Sequence, residues 1–228
     1  MNTIQSSAGP DSASRKTARL AGIIYLITFI SIPTLSLYAP LRTMDYVTGT
    51  GHDISVVIGC ILEMLVGLGC IGSAVVLYPV LRKQNETLAM GLISARILEA
   101  ATIFVGVSFV LTILSLRQAG VGGEAGIIAY TLAALYDRIF LIGQSFMPAV
   151  NDLLLGFLLY HSRLVPRNLA RIGIAGGVSL IVGDVLILLG VLEQREPLAA
   201  VFSIGVAVFE FILGIWLVVK GFQSPHAK

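Results

Sequence analysis

The chain has 228 residues, of which 56% are hydrophobic and only 12% are charged, and its formal net charge is +2. A soluble globular domain carries about 25% charged residues, so this chain has too few polar side chains to cover a water-facing surface. The small net charge, and the lack of a basic stripe with interleaved aromatic residues, exclude a nucleic-acid-binding protein. A mean hydropathy of +0.91 agrees with this and predicts an all-α membrane protein embedded in a lipid bilayer.

The N-terminal segment changes character near residue 18. Residues 1–17 are small and polar, which predicts a disordered cytoplasmic tail. Arg15, Lys16 and Arg19 then precede an apolar run that is longer than the core of a usual signal peptide and ends at Pro40 without a small-x-small cleavage site. We therefore interpret this run as an uncleaved first span.

A helix needs about 20 apolar residues to cross a hydrocarbon core about 30 Å thick. Six stretches meet this requirement, so the sequence predicts a six-transmembrane-helix bundle over residues 18–220, followed by a cytoplasmic tail over 221–228. The apolar residues 125–136 either lengthen the fourth span or lie on the outer surface. The predicted spans are 20–39, 54–78, 88–116, 138–160, 169–192 and 198–219.

Lysine and arginine residues near the span ends predict the orientation, because cytoplasmic loops carry an excess of them. Ten lie in the two tails and in the loops after spans 2 and 4, against four on the other side, which predicts a multi-pass protein of the inner membrane with both termini in the cytoplasm. The ten are Arg15, Lys16, Arg19, Arg82, Lys83, Arg163, Arg167, Arg171, Lys220 and Lys228; the four are Arg42, Arg117, Arg138 and Arg195.

Several short motifs lie at the ends of these spans. They are Arg-Leu-Ala-Gly-Ile-Ile-Tyr-Leu over 19–26, Leu-Arg-Lys-Gln-Asn-Glu-Thr-Leu-Ala over 81–89, Arg-Ile-Leu-Glu over 96–99 and Ser-Arg-Leu-Val-Pro-Arg over 162–167. Together they resemble the bacterial family known as domain of unknown function 4386, over most of residues 16–219. The resemblance implies a multi-span bacterial membrane protein and supplies no catalytic residue.

Ionisable side chains within a span are candidates for function, since each costs at least about 2.5–3.5 kcal/mol on insertion. Helical spacing places most of the acidic ones on stripes of small residues, which face neighbouring helices rather than lipid. In span 4, Pro148 cannot donate to the carbonyl of Gln144 and predicts a kink there. The candidate binding residues are Glu63, Arg96, Glu99, Gln144, Asn151, Asp152, Asp184 and Glu210.

Arg96 is the one basic residue within a span, and it cannot lose its proton. We expect it to pair with Glu99, three residues along the same helix, or with Asp152 at a similar depth. We expect the other acids to be protonated, to share protons or to bind a cation. From their positions we also expect Glu63, Asp152, Asp184 and Glu210 to line a solvent-reachable cavity.

Three classes of function fit these residues. An acid-lined interior favours transport or binding of a small solute, a proton or a cation. Buried acids that only tie helices together favour a non-catalytic protein that associates with another membrane component or with a second copy of the chain. A membrane-embedded enzyme ranks third, since no serine-nucleophile motif and no metal-ligand spacing occur, and we expect no metal or other cofactor.

Overall fold

The structure is a computed structural model that describes residues 12–49, 53–120 and 124–223, and every regular element in these ranges is helical. The α-helices are α1 Ser12–Thr28, α2 Thr34–Leu37, α3 Ile54–Leu81, α4 Glu86–Ala119, α5 Glu124–Phe140, α6 Met147–Ser162, α7 Arg167–Leu188 and α8 Pro197–Val219. Three 3₁₀ turns, Phe29–Ser31, Ala39–Arg42 and Met44–Thr48, follow α1 and α2, and a π-helical turn, Leu141–Phe146, joins α5 to α6.

Five helices of the described chain are long and apolar enough to cross a membrane, which makes this a multi-pass membrane protein. They are Ile54–Leu81, Glu86–Ala119, Ala125–Ser162, Arg167–Leu188 and Pro197–Val219. With α1 they form six antiparallel rods. We call the end with the start of α1, the end of α8 and the loops at 82–85 and 163–166 the tail side, and the end with the segments 32–49 and 189–196 the far side.

The predicted first span differs from the structure at both ends. Residues 12–17, predicted to be a disordered tail, are the first turns of α1, and residues 1–11 lie outside the described ranges. The early start has a tertiary cause, because Ala18 of α1 is buried in the core that also holds Leu217 and Phe222 of the C-terminal end. The helix does not run unbroken to residue 39, since Pro33 lacks a backbone N–H and a new short helix begins after it.

Capping residues account for the ends of α3 and α4. The Asp53 carboxylate accepts hydrogen bonds from the backbone N–H groups of Ser55 and Val56 at the start of α3. Asn85 caps α4 in the same way. Gly120, with φ +63°, ends α4 in the left-handed conformation that glycine adopts without strain. The predicted third span, 88–116, therefore extends by a few residues at each end.

The predicted fourth span is longer than expected, and the fifth is shorter. The apolar residues 125–136 continue the fourth helix, which runs to Ser162, so its predicted start at residue 138 is wrong. The predicted fifth span ends at Leu188 rather than at residue 192, and Gly190 (φ +72°) turns the chain towards α8.

Small residues bring neighbouring rods into close contact, as their spacing predicted. A β-carbon on Gly176 of α7 would lie 2.5 Å from the backbone carbonyl carbon of Gly205 in α8. A β-carbon on Gly22 of α1 would lie 2.6 Å from the carbonyl oxygen of Gly214 in α8. Glycine at these positions lets the helices approach more closely than any other residue allows.

The buried apolar side chains form two main cores, one at each end of the bundle. The tail-side core includes Leu77, Leu81, Leu155 and Leu159. The far-side core includes Tyr38, Tyr46 and Tyr136. Many large apolar side chains point outward instead, as expected for surfaces that contact lipid.

Candidate functional site

A cavity of about 580 Å³ enters the bundle between the end of α1, the middle of α3 and α4, the π-helical turn, α7 and α8. It extends from Arg195, at the far side, to Arg96 and Glu210. Glu210 lies thirteen residues into α8, which corresponds to a depth of about 20 Å. The charged residues that line the cavity are Arg42, Arg96, Glu99, Asp137, Asp184, Arg195, Glu196 and Glu210.

The floor of the cavity is built around Arg96 of α4, which is 2% exposed. Its guanidinium donates to Glu99 Oε2 on the same helix at 3.1 Å and to Glu210 Oε1 on α8 at 2.7 Å. It also donates to the Tyr25 hydroxyl of α1 at 3.0 Å and lies 5.1 Å from the centre of that ring. One side chain thus joins three helices, and two carboxylates neutralise it.

Asn151 and Asp152 of α6 lie behind this floor, outside the lining of the cavity. The amide of Asn151 donates to Glu99 Oε2 at 2.7 Å, which fixes the carboxylate that holds Arg96. Asp152 is fully buried and interacts electrostatically with Glu210 and Arg96. Neither of its carboxyl oxygens has a hydrogen-bond partner among the described residues. The predicted alternative pair between Arg96 and Asp152 is therefore wrong, because the guanidinium forms its second ion pair with the Glu210 carboxylate instead.

The π-helical turn forms one wall of the cavity. It immediately precedes Pro148, whose ring would clash with the carbonyl four residues earlier in a regular helix. The N–H of Met147 instead donates to the carbonyl of Ile142, five residues back. This wider turn presents Gln144 and Ser145 to the cavity, and the Ser145 hydroxyl donates to Asp184 Oδ1 on α7 at 2.6 Å. The predicted irregularity at Pro148 is thus a π-helical turn, a feature often found at functional sites.

The mouth of the cavity carries a second charge cluster, centred on Asp137 of α5. Arg42, from the 3₁₀ turn after α2, donates to Asp137 Oδ1 at 2.9 Å, and Arg195, in the loop between α7 and α8, pairs with Oδ2. The Gln194 amide donates to the backbone carbonyl of Asp137 at 2.9 Å. Arg195 is 52% exposed, so this end of the cavity lies at the surface of the bundle.

Glu63 lies in a separate polar site behind the cavity wall. It is fully buried on α3 and accepts a hydrogen bond from the Tyr136 hydroxyl of α5. The side chains of Thr34, Tyr38 and Gln144 surround the same carboxyl group. Tyr136 and Gln144 also line the cavity, so these two side chains form the partition between the two sites.

Among known protein families, the model described as domain of unknown function (DUF4386) matches residues 20–221. The chain belongs to the DUF4386 family. No curated protein and no solved structure matches it significantly.

The family match covers every residue that lines the cavity of this DUF4386 protein, from Thr28 to Glu210. It also covers the four motifs from which the resemblance was inferred, apart from Arg19, and that inference is confirmed. The match carries no activity with it, and the membrane character of the chain follows from its five long apolar helices.

The eight candidate residues divide into two groups. Five of them line the cavity, namely Arg96, Glu99, Gln144, Asp184 and Glu210; the remaining three, Glu63, Asn151 and Asp152, are buried outside its lining. Glu63 and Asp152, which we expected to face the cavity, lie outside its lining, and Tyr136 and Gln144, which surround Glu63, line the cavity themselves. Asp184 and Glu210 do face it.

Sequence reasoning missed Tyr25, Arg42, Asp137, Ser145 and Arg195. Four of these carry no signal of their own, since arginine near span ends, as at Arg42 and Arg195, and single tyrosine or serine residues within spans, as at Tyr25 and Ser145, are common. Asp137 carried a weak signal, because it is an acid on the side of the membrane where Arg42, Arg138 and Arg195 were expected. Among the described residues, no three side chains of histidine, cysteine, aspartate or glutamate converge as metal ligands, and Cys60 and Cys70 are both buried and unlinked.

Proposed function

We propose that this protein binds and transports a small, positively charged solute across the inner membrane of a bacterium. The observation that carries the proposal is the cavity, which extends from the mouth at Asp137 to buried charges at Arg96 and Glu210. A site that is concave, mostly apolar and furnished with a few convergent polar groups is the usual form of a small-molecule site.

The charges on the cavity wall favour a cationic solute. Five carboxylates line it, against three guanidinium groups. Asp184 bonds only to a neutral hydroxyl, so its negative charge has no cationic partner among the described residues. Away from water, an uncompensated carboxylate strongly favours a bound cation or proton. A solute with an amine, guanidinium or quaternary ammonium group supplies that charge, and the apolar wall accepts its hydrocarbon portion.

Transport, rather than binding alone, is supported by the contrast between the two ends of the bundle. The cavity reaches the far side, where Arg195 is half exposed, whereas the tail-side core of leucine side chains closes the other end. A transporter presents its site to one side at a time. In this proposal the present conformation faces outward, and a second conformation separates the tail-side ends of the rods.

The proposal includes six spans with both termini in the cytoplasm. The apolar residues 20–37, in α1, the 3₁₀ turn after it and α2, extend over about 27 Å, which is close to the thickness of a hydrocarbon core. Leu20, Ile23 and Ile27 point outward from α1 with 41–50% exposure, as lipid-facing residues do. The excess of lysine and arginine on the tail side supports a cytoplasmic location for that side.

Reporter fusions test the topology. Fusions after Arg82, after Arg163 and at the C-terminus should all give a cytoplasmic signal, and a fusion inserted at Glu193 should give a periplasmic one. A periplasmic signal at any of the first three would refute the proposed orientation.

A thermal-shift screen of the purified protein in detergent tests the solute class. Organic amines, guanidines, quaternary ammonium ions and metal cations are compared with neutral and anionic solutes of the same size. A ligand of the cavity should raise the unfolding temperature of the wild type and of Glu193→Gln, an exposed carboxylate outside the cavity. It should have no effect on Asp184→Asn or Glu210→Gln. Stabilisation by anionic solutes alone would refute the charge argument.

Uptake into proteoliposomes then separates transport from binding. A cation identified in the screen should accumulate in vesicles that contain the wild type and not in vesicles that contain Glu210→Gln. If it binds but never crosses, the protein is a membrane-bound binding protein, and the association of this chain with another membrane component becomes the better explanation.

A further inference from the structure

We propose a second site, for a monovalent metal cation, at Glu63, where the first helical rod is broken. It lies outside the lining of the solute cavity and does not depend on the function proposed for that cavity. Its components are the Glu63 carboxylate of α3, Thr34 and Tyr38 of α2 and the turn after it, Tyr136 of α5 and Gln144 of the π-helical turn.

The first feature of this site is a buried carboxylate that has no ion-pair partner among the described residues. Glu63 is fully buried and takes part in none of the ion pairs among the described residues, which involve Asp137, Glu99 and Glu210. An isolated carboxylate in a low-dielectric interior is strongly destabilising unless a positive charge compensates it. Among the described residues, the side chains that hydrogen-bond to or surround Glu63 are neutral. The compensating charge therefore has to come from a bound proton or a bound cation.

The number of oxygen atoms around Glu63 favours a cation. A proton needs a single acceptor, whereas hard cations take about six oxygen ligands. The five side chains carry six oxygens: two from the carboxylate, three from hydroxyl groups and one from the Gln144 amide. Glu63 Oε2 and the hydroxyl of Tyr38 are both buried and make no hydrogen bond of standard geometry among the described residues, although the Tyr38 hydroxyl lies close to Glu63 and Cys60. A bound cation satisfies both of these oxygens at once.

The charge of the site selects a monovalent ion. One carboxylate matches one positive charge, and among the described residues no second acid lies in the group around Glu63. The oxygen ligands are of the kind that alkali cations accept, and among the described residues the group that surrounds the Glu63 carboxyl contains no histidine. The location is also typical, because broken membrane helices expose polar groups to ion sites within a bundle.

The test uses the full chain in detergent, carrying Asp184→Asn so that the solute cavity binds no cation, with sodium chloride as the probe and choline chloride at the same ionic strength as the control. Cys60 and Cys70 are the only cysteines of the chain and both are buried, so a maleimide dye that fluoresces on reaction reports unfolding. We expect sodium to raise the unfolding temperature in a saturable manner and choline to have no effect. Tyr38→Phe should raise the half-saturating sodium concentration by at least about tenfold.

Variants at Glu63 and Asp184 assign the effect to one site. Glu63→Gln should abolish the sodium-dependent rise, and Asp184→Asn, a buried carboxyl group outside the site, should retain it. Binding of radioactive sodium to the wild type and to Tyr38→Phe gives a readout that remains valid if Glu63→Gln does not fold.

Two results would overturn the proposal. The first is an unfolding temperature of Asp184→Asn that depends on pH but is the same in sodium and choline, since Glu63 would then hold only a proton. The second is a sodium effect that persists when Glu63→Gln is added to Asp184→Asn. Because Asp184→Asn removes cation binding to the solute cavity, neither result bears on that cavity.

Discussion

Replacing Arg96 with leucine should destabilise the bundle more than any other single substitution of a polar residue at the cavity. The guanidinium donates to Glu99, Glu210 and Tyr25 within 3.1 Å and is 2% exposed. Leucine fills part of the same volume but leaves two carboxylates without their cation. The substitution therefore removes the charge on which α1, α4 and α8 converge.

The magnitude follows from the contacts. Removing one partner of a buried ion pair costs about 3–5 kcal/mol, because the remaining charge is uncompensated. Two carboxylates lose their partner here, although protonation of one limits the loss, so we expect at least about 4 kcal/mol in the free energy of unfolding. For a chain of this length, about 1 kcal/mol corresponds to about 2–4 °C, and the unfolding temperature should fall by about 8–16 °C.

The assay is the maleimide-dye unfolding experiment, with two comparisons. Asp184→Asn alters a single hydrogen bond, to Ser145, and should lower the free energy of unfolding by only about 1 kcal/mol. Arg82→Leu removes an exposed arginine and should change it by no more than about 0.5 kcal/mol. Adding Glu99→Gln and Glu210→Gln to Arg96→Leu should recover part of the loss, because no uncompensated charge then remains.

The reasoning is refuted if Arg96→Leu unfolds at the same temperature as Asp184→Asn. It is also refuted if the triple variant is less stable than Arg96→Leu alone, since the loss would then arise from packing rather than from unpaired charge.

Two further predictions concern the cap at the start of α3 and the close contact between α7 and α8, both outside the two sites. Asp53→Ala should lower the free energy of unfolding by about 1 kcal/mol through loss of the cap on α3. Burial raises the pKa of Asp53. Hydrogen bonds from Ser55, Tyr46 and the backbone together lower this pKa by more than burial raises it, so the folded pKa lies below its ordinary value. The difference between wild type and Asp53→Asn should therefore be constant above about pH 5 and shrink as the pH falls through the folded pKa; a growing difference would contradict the assignment. Gly176→Ala should destabilise by about 1–3 kcal/mol, because its β-carbon would lie 2.5 Å from the Gly205 backbone. Gly91→Ala, whose β-carbon meets only Leu154 at 3.8 Å, is the matched control and should be neutral or slightly stabilising.

The two ion pairs of Arg96, with Glu99 and with Glu210, differ in whether the sequence alone predicts them. Arg96 and Glu99 lie three residues apart on one predicted helix, so their contact follows from helical geometry alone, and it is confirmed. Glu210 lies 114 residues from Arg96 along the chain, and its contact with the guanidinium depends on which helices are neighbours. Hydropathy gives the length and number of apolar helices but not their order around the bundle.

The sequence does not predict the Asp137 cluster either, because its contacts also depend on which helices are neighbours. Arg42, Asp137 and Arg195 come from three separate segments, and each segment has the sequence of an ordinary span end. They meet because α2, α5 and the loop between α7 and α8 reach the same end of the bundle.

The sequence by itself determined that this protein is a bundle of apolar helices in a membrane, and that its buried charges face one another rather than lipid. Both follow from the cost of exposing polar groups to hydrocarbon, which depends on composition and helical period alone. Only the tertiary structure decided that Arg96 joins α1, α4 and α8, that Asp184 and Glu210 face a common cavity, and that Glu63 lies in a separate site. These outcomes depend on close contacts such as Gly176 with Gly205 and on the π-helical turn before Pro148, which set the spacing and rotation of each helix against its neighbours.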